Sequence, residues 1–513
     1  MHFFRFQLKS FRNLRLRLEV LRWKFACATF LSANPEADTY LVATSVGGNL
    51  NVIALDIVIA QALKSRGHNV KLLLCDGSLS ACMNCELNKF TSAQEFVELG
   101  PRKLCISCRN LGVRIASQHS LEIIALGSIQ GSGKLTSPED SSFESAVAGA
   151  KRFLGSGSEE ATDEFKRILK RFVNAALEVE SNFAETLNTV KIKAVIAHHG
   201  IYVPQGNIVK ICRDRRIPVV TWNQAYRRGS YLFSLNDTYH KTLLEEFEWD
   251  RPLTNDQKIS IENYLLSRDS GENDWIRFGT TTRSKSSNYI VNFPLHAYDL
   301  LLTNVSWDAQ VHYESNIFYS MFEWLRITII WYKQNPSQNL IIRVHPAEKT
   351  GLIVSQEPVS EWIRREFGDL PKNIQLIDAL DKVSTYLLIK NSRLGLIYAT
   401  KTGIEMAAAG KAVVVAGESW IRNKGFAYEP SSNLEYIDLL NKNASLDGLP
   451  EIDRNKALRF AYYFFFDRMI QINSIKPLKY YPYARPMIGK NWEKSDPGLL
   501  HVISKIEKGE NFN

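Results

Sequence analysis

From residue 39 onward, short apolar runs alternate with stretches of helical rhythm. TYLVATSVGG opens the pattern as an apolar run stopped by two glycines, the signature of a buried strand closed by a tight turn. NLNVIALDIVIAQALKSRGH has the apolar spacing of a helix, and HNVKLLLCDG predicts a second strand. LEIIALGSI, KIKAVIAHHG and RIPVVTWN predict further strands, with a helix over GNIVKICRDR and a long charged helical region ending near Thr189. Between about 240 and 290 the chain turns polar around Trp249 and Trp275, which predicts an insertion and linker. The rhythm then restarts. YDLLLTN, NLIIRVHP, NIQLI, RLGLIYAT and KAVVVAG predict five strands, with helices around 314–334, 355–367, 379–390 and 402–410. DRNKALRFAYYFFFDRMIQ predicts an aromatic-rich helix that buries its apolar face on one of the domains.

Strand, turn and helix in alternation build parallel, doubly wound sheets. Two such runs predict an α/β chain with two Rossmann-like domains facing a cleft. The expected divisions are an N-terminal segment 1–38, a first domain 39–285 carrying a cysteine-rich insert 75–108, a second domain 286–450, and a helical tail 451–513.

The N-terminal segment adds a partner. In MHFFRFQLKSFRNLRLRLEVLRWKF, Phe4, Phe11, Leu14, Leu18, Leu21 and Phe25 recur at spacings of three, four or seven. Arg5, Lys9, Arg12 and Arg22 lie mostly off that stripe. A basic amphipathic helix of this kind lies on an anionic membrane surface or packs on the fold. No apolar run reaches the roughly 20 residues needed to span a bilayer, and no secretory signal is recognisable. The expected location is cytoplasmic and peripheral on the inner membrane face. The balance of 63 basic to 54 acidic residues, +9 net, suits an anionic partner such as a nucleotide, phospholipid or phosphorylated glycan. It carries no nucleic-acid signature.

Cysteine placement changes the picture more. Cys82 and Cys85 form one CxxC pair and Cys105 and Cys108 a second, with Cys75 just ahead of them. Two CxxC turns about twenty residues apart have tetrathiolate zinc spacing, with an iron–sulfur cluster as the second possibility and Cys75 as an alternate ligand. Such a zinc has no open position for water, so a structural role is expected. No organic cofactor is expected.

Four constellations sit where strands end. Gly47, Gly48 and Asn49 follow the first strand, and adjacent glycines ahead of a helix form a candidate acceptor or phosphate loop. Arg343, His345 and Pro346 leave a strand in RVHPAE, a rigid placement for an imidazole beside a nucleotide phosphate. In YATKTGIEMAAAG, the hydroxyls of Thr400 and Thr402 and the turn at Gly403 form a candidate phosphate cradle, with Glu405 placed for ribose hydroxyls. His198, His199, Asp237 and His240 are the candidate general bases from the first half. Asn304 and Asp308, after the second domain's first strand, border the cleft.

Taken together, RVHP, T-x-T-G-I-E and GKAVVVAG resemble the capsule polysaccharide biosynthesis family of GT-B glycosyltransferases, which includes bacterial Kdo transferases. The GGN turn, HHGIYVPQG, LLLTNVSWD and AYYFFF also look like features of that family, so the resemblance spans most of residues 40 to 480. It implies that His345 and Pro346 match the HP motif and that Thr400 and Thr402 fall at the hydroxyl motif, the pair that holds the nucleotide of a CMP-activated sugar. The hydroxyl motif here reads T-K-T, and the acidic-acidic-glycine triplet of related sialyltransferases is missing from the sequence. The expected activity is transfer of a sugar from a nucleotide-sugar donor, of a CMP-Kdo-like kind, to a polysaccharide or glycolipid acceptor. A polyol-phosphate transferase of the teichoic-acid type and a non-catalytic zinc-containing scaffold of capsule assembly are the alternatives.

Overall fold

The structure is a computed structural model that describes residues 23–25, 39–127, 141–157, 162–245, 249–271, 273–276, 291–313, 317–351, 353–442, 445–446, 448–478 and 484–512. The amphipathic segment falls almost wholly outside them. Only its end is described, as a short strand β1 (Lys24–Phe25).

The first domain is built on β2 (Thr39–Ser45), β3 (Asn69–Cys75), β4 (Glu122–Leu126), β5 (Ile192–His198), β6 (Val219–Gln224) and β7 (Ser230–Leu235). β2 is buried at every position, as a strand covered by helices on both faces must be. The helix Leu50–Ser65 is apolar nearly all round because it lies between this sheet and the returning C-terminus. The second domain is built on β8 (Asp299–Leu302), β9 (Leu340–Arg343), β10 (Ile374–Ile377), β11 (Leu394–Ile397) and β12 (Ala412–Val415).

Both sheets share one winding rule. In the first, β4-β3-β2-β5-β6 run parallel, and β7 then adds an antiparallel edge. In the second, β10-β9-β8-β11-β12 are all parallel. Each sheet therefore reverses its strand order beside its own first strand, between β2 and β5 and between β8 and β11. Open sheets of this kind bind ligands outside the carboxyl ends of the strands at that reversal. The two doubly wound sheets expected from the sequence are present.

The polar 240–290 stretch is less irregular than expected. Its helix Asn255–Ser267 starts on a capping box between Thr254 and Gln257, and Trp249, Tyr264 and Trp275 are buried. The tail is not only helical. After the helix Glu451–Tyr462 and an aromatic turn Tyr463–Asp467 packed on the second domain, the chain returns to the first. There β13 (Ile470–Gln471) pairs with the open edge of β7, while β14 (Ile475–Pro477) and β15 (Ala484–Ile488) form a small sheet with β1. An open edge offers unpaired backbone groups, and the IQINS segment supplies the partner. Arg468, almost fully buried, holds the return by donating to the carbonyls of Phe233 and Phe512 at 2.9 Å each.

Candidate functional site

At the first reversal, both flanking strands end in left-handed backbone. Ser45 has φ 58° at the end of β2, and His199 has φ 64° just past β5. Non-glycine residues pay steric strain in that region, and such strain gathers at functional sites. The His199 N–H donates to Trp222 O at 2.9 Å, which fixes the turn against β6. The rings of His198 and His199 lie 5.5 Å apart, and His240, from the helix Tyr239–Glu245, stacks on His199 at 5.8 Å. Among the described residues, the Nδ1 atoms of all three are buried without a hydrogen-bond partner. Burial holds each imidazole neutral: His198 and His240 lie well below the usual histidine range, and His199 is pushed down to about 3, with Arg152 adding to the effect. Asp237 is committed elsewhere, paired with Arg213 and accepting the Thr238 N–H at 2.7 Å.

Behind the histidines lies a carboxyl that the sequence pattern left unmarked. Asp56 sits fully buried on the otherwise apolar helix Leu50–Ser65 and accepts from Thr44 Oγ1 at 2.7 Å and Trp222 Nε1 at 2.8 Å. Burial outweighs both bonds and pushes it up to about 7. Trp222 in turn packs on His198 at 4.7 Å. A single Asp in LNVIALDIVIAQAL was the available signal.

Gly47 and Gly48 have a packing duty. A Cβ on Gly47 would stand 2.6 Å from Gly112 Cα, and one on Gly48 would stand 3.0 Å from Cys108 Sγ. The Gly48 N–H donates to Cys108 Sγ at 3.0 Å, so it is spent on the fold. The glycines admit the helix Arg102–Gln118, and Asn49 starts the helix Leu50–Ser65 without a side-chain cap.

In the second domain, two consecutive residues just past β8 hold both sequence motifs. Thr303 Oγ1 accepts the His345 N–H at 3.0 Å, and Asn304 Oδ1 accepts the Ala399 N–H at 3.2 Å. Since β9 and β11 flank β8, the HP loop and the T-K-T loop stand on either side of this clamp. His345 Nδ1 accepts the Ala347 N–H at 3.1 Å, so its neutral ring carries the proton on Nε2. Burial, with Arg343 and Lys401, pushes that ring down to about 4. Pro346 opens the short helix Ala347–Thr350. Thr400 Oγ1 donates to Thr402 Oγ1 at 3.2 Å and accepts the Thr402 N–H at 3.3 Å. Gly403 lies against β11, where a Cβ would fall 2.4 Å from Ile397 Cδ1.

Two expected donor contacts are spent within the fold. Arg343 donates to the Asp378 carbonyl, to Asp381 O at 3.5 Å and to Thr385 Oγ1 at 3.5 Å, stapling the loop after β10. Glu405 is ion-paired with Arg268 at 3.0 Å and with Lys401 at 2.7 Å, instead of standing open for ribose. Arg268 also pairs with Asp274, and all of Arg268, Asp274 and Glu405 are buried. Asp308 caps the turn Ala309–His312, accepting the Gln310 N–H at 3.4 Å, and burial raises its pKa.

The two halves meet at the carboxyl ends of their strands. Val46, Met83, Ile201 and Tyr202 of the first domain form one apolar cluster with Ala309 of the second. Lys151 Nζ reaches His312 Nδ1 at 2.9 Å, and Trp420 Nε1 donates to His240 O at 3.3 Å. Gly157 lies so close that a Cβ there would collide with the Ser306 carbonyl. The reversal points of the two sheets therefore face one another. Sequence patterns missed Thr303, Lys151, His312 and Trp420, which have no local signature.

Cys108 lies against the Gly47–Gly48 turn, Cys105 lies against Gly77, and Cys82 packs on the same apolar cluster as Cys108. Among the described residues, no three His, Cys, Asp or Glu side chains form a group that could hold a metal ion. Cys82 and Cys85 bring their sulfurs to 4.0 Å, while Cys108 and Cys75 accept the Gly48 and Gly77 N–H groups at 3.0 and 3.3 Å.

No family model and no curated protein matches the chain. Among solved structures, it is similar to the beta Kdo 2,4 transferase KpsC of Thermosulfurimonas dismutans, at 14% identity, with 52% of this chain and 79% of that chain covered and a TM-score of 0.35. The beta Kdo 2,7 transferase KpsC of the same organism gives 12% identity, 63% and 89% coverage and a TM-score of 0.32. A UDP-GlcNAc 2-epimerase from Neisseria meningitidis bound to UDP-GlcNAc gives 12%, 83% and 95%, with a TM-score of 0.27. At these values the likenesses assign neither fold nor activity, and the fold rests on strand order. Among the described residues no helix is long and apolar enough to cross a membrane.

Proposed function

We propose that the chain is a GT-B glycosyltransferase that moves a sugar from a nucleotide donor held by the second domain to a glycan acceptor held by the first. One observation carries this reading: Thr303 and Asn304 clamp the His345 loop and the Thr400–Thr402 loop side by side at the strand reversal that faces the first domain. In this reading the Nε2–H of His345 and the hydroxyl of Thr402 donate to the nucleotide phosphate, with Thr400 orienting the Thr402 hydroxyl through the bond it donates to it. Their role grows as the leaving phosphate gains negative charge. His199 takes the proton of the acceptor hydroxyl, since it is neutral, has an unpaired Nδ1 and lies between His198 and His240. Asp56, acting through Trp222, positions His198.

The finer reading, drawn from the HP and T-K-T motifs, is a CMP-activated sugar of the Kdo kind and a capsular or other surface glycan as acceptor, met at an anionic membrane surface. Calorimetric titration with CMP, UDP and GDP tests the donor side. CMP is expected to bind wild-type protein and to lose at least about tenfold in affinity with His345→Ala. Absence of binding by any nucleotide would favour a scaffold. Consumption of CDP-glycerol in place of CMP-Kdo would favour polyol-phosphate transfer.

A further inference from the structure

The helix Arg102–Gln118 is committed on its inner side and bare on its outer one. Inward, Cys108 and Gly112 meet the Gly47–Gly48 turn at the first reversal point, and Ile115 and Ala116 are buried in the apolar cluster on the sheet face of Tyr40 and Val42. Outward, Arg102, Lys103, Ile106, Arg109, Val113 and Arg114 are all exposed. Spacings of three, four and seven put them on one side of the helix. At about 100° per residue, Ile106 and Val113 run along the middle of that side, with Arg102 and Arg109 on one flank and Lys103 and Arg114 on the other.

The fold makes no use of this side. Ile106 is 63% exposed and Val113 39%. Among the described residues, the side chains of Arg102, Lys103, Arg109 and Arg114 form no ion pair and no hydrogen bond. The helix contains no Asp or Glu, and Glu95 of the preceding helix Ala93–Leu99 stands near Lys103. A solvated helix surface carries charges of both signs, whereas a cationic side with an aliphatic centre suits an anionic bilayer. Two aliphatic side chains on one helix are too little for a stable protein interface, which buries about 800 Å² per partner, yet enough to enter a headgroup layer. The same sheet face also receives the N-terminal end of the chain. Trp23 is buried in that cluster, and residues 1–22 carry six Lys or Arg against one Glu. Cationic sequence therefore joins the fold on the side that bears this helix.

We propose that the outer side of the helix Arg102–Gln118 docks the protein on an anionic phospholipid bilayer, with Ile106 and Val113 in the headgroup layer and the four cations on lipid phosphates. The Gly47–Gly48 turn is then held about one helix diameter, roughly 10 Å, from the headgroups. In the glycosyltransferase reading this is the face that brings the cleft to its acceptor at the membrane. Docking itself rests on the helix and not on sugar transfer.

The test is co-sedimentation of the full chain with sucrose-loaded vesicles of phosphatidylcholine, alone or mixed with about 30% phosphatidylglycerol, at about 0.1 M salt. Wild-type protein is expected to partition at least about tenfold more strongly onto the anionic vesicles. Arg109→Glu with Arg114→Glu should weaken that partition by about tenfold or more, and Ile106→Ser with Val113→Ser by about threefold or more. Lys258→Glu with Lys372→Glu makes the same change in net charge elsewhere and should leave it within about twofold. All six positions are exposed, so each variant should keep the wild-type circular dichroism spectrum. Equal sedimentation with both kinds of vesicle overturns the proposal, as does undiminished partition in either helix variant or an equal loss in the Lys258 and Lys372 variant. Wild-type protein that binds heparin but neither kind of vesicle would assign the face to a soluble polyanion and overturn it as well. No donor or acceptor is present, so the result stands apart from the nucleotide titrations.

Discussion

The imidazoles of His199 and His240 stack with centroids 5.8 Å apart and planes 28° from parallel, although one ring leaves β5 and the other a helix 41 positions later. That contact places His199 between two other buried rings. His199→Asn keeps a residue that tolerates positive φ and removes the base. Turnover should fall at least about 100-fold while nucleotide affinity stays unchanged. The pH profile gives a second check: with His199 lowered to about 3, the base stays unprotonated as pH falls through the ordinary histidine value of 6.5. An acid limb in kcat/KM centred near that ordinary value would show that another group is the base.

Thr303→Val keeps the volume and removes the acceptor for the His345 N–H. Leaving a largely buried N–H unpaired costs about 1–3 kcal/mol. Nucleotide Kd is expected to rise by roughly fivefold or more, with little change in overall secondary structure by circular dichroism.

Asp56 has a raised folded pKa, about 7 against an unfolded 3.8. Between those values the folded state binds the extra proton, so this group's effect on stability worsens as pH rises from about 4 to about 7. Asp56→Asn, with its amide nitrogen donating to Thr44, should remove that slope. The variant's Tm relative to wild type is expected to climb with pH, by at least about 2 °C across this window. A constant difference would mean that Asp56 does not titrate there.

Gly47→Ala places a Cβ 2.6 Å from the Gly112 backbone, whereas Gly48→Ala meets Cys108 at 3.0 Å. Backbone yields less readily than a side chain. Urea denaturation should show Gly47→Ala destabilised by about 1–3 kcal/mol and by more than Gly48→Ala. The opposite ranking would contradict this packing.

Arg268→Met strips Glu405 of one of its two cationic partners in a buried site. A loss of about 3 kcal/mol is expected, and adding Glu405→Gln should restore part of it. Strictly additive losses in the double variant would show that the pair is not coupled.

The apolar runs that became β2 through β6 and β8 through β12 were legible because short stretches of Val, Ile, Leu and Ala are a local signal, strongest in the central strands such as β2 and β8 that are buried throughout. β7 and β13 were not: β7 runs antiparallel to β6, and the two-residue β13 exists only through the strand it meets. The N-terminal stripe lies outside the described residues except for Phe25, which falls in β1.

By itself, the sequence determined two doubly wound sheets, the strand ends that carry His198, His199, His345, Thr400 and Thr402, and a concentration of thiols after β3. Tertiary structure decided which polar groups are spent on one another. Glu405 meets Arg268 across 137 positions, Arg343 braces the Asp378 loop, Asp237 turns to Arg213, and Thr303 takes hold of His345. Such pairs satisfy buried charge and backbone N–H groups between distant segments, and periodicity, being a short-range signal, carries no record of which segments meet.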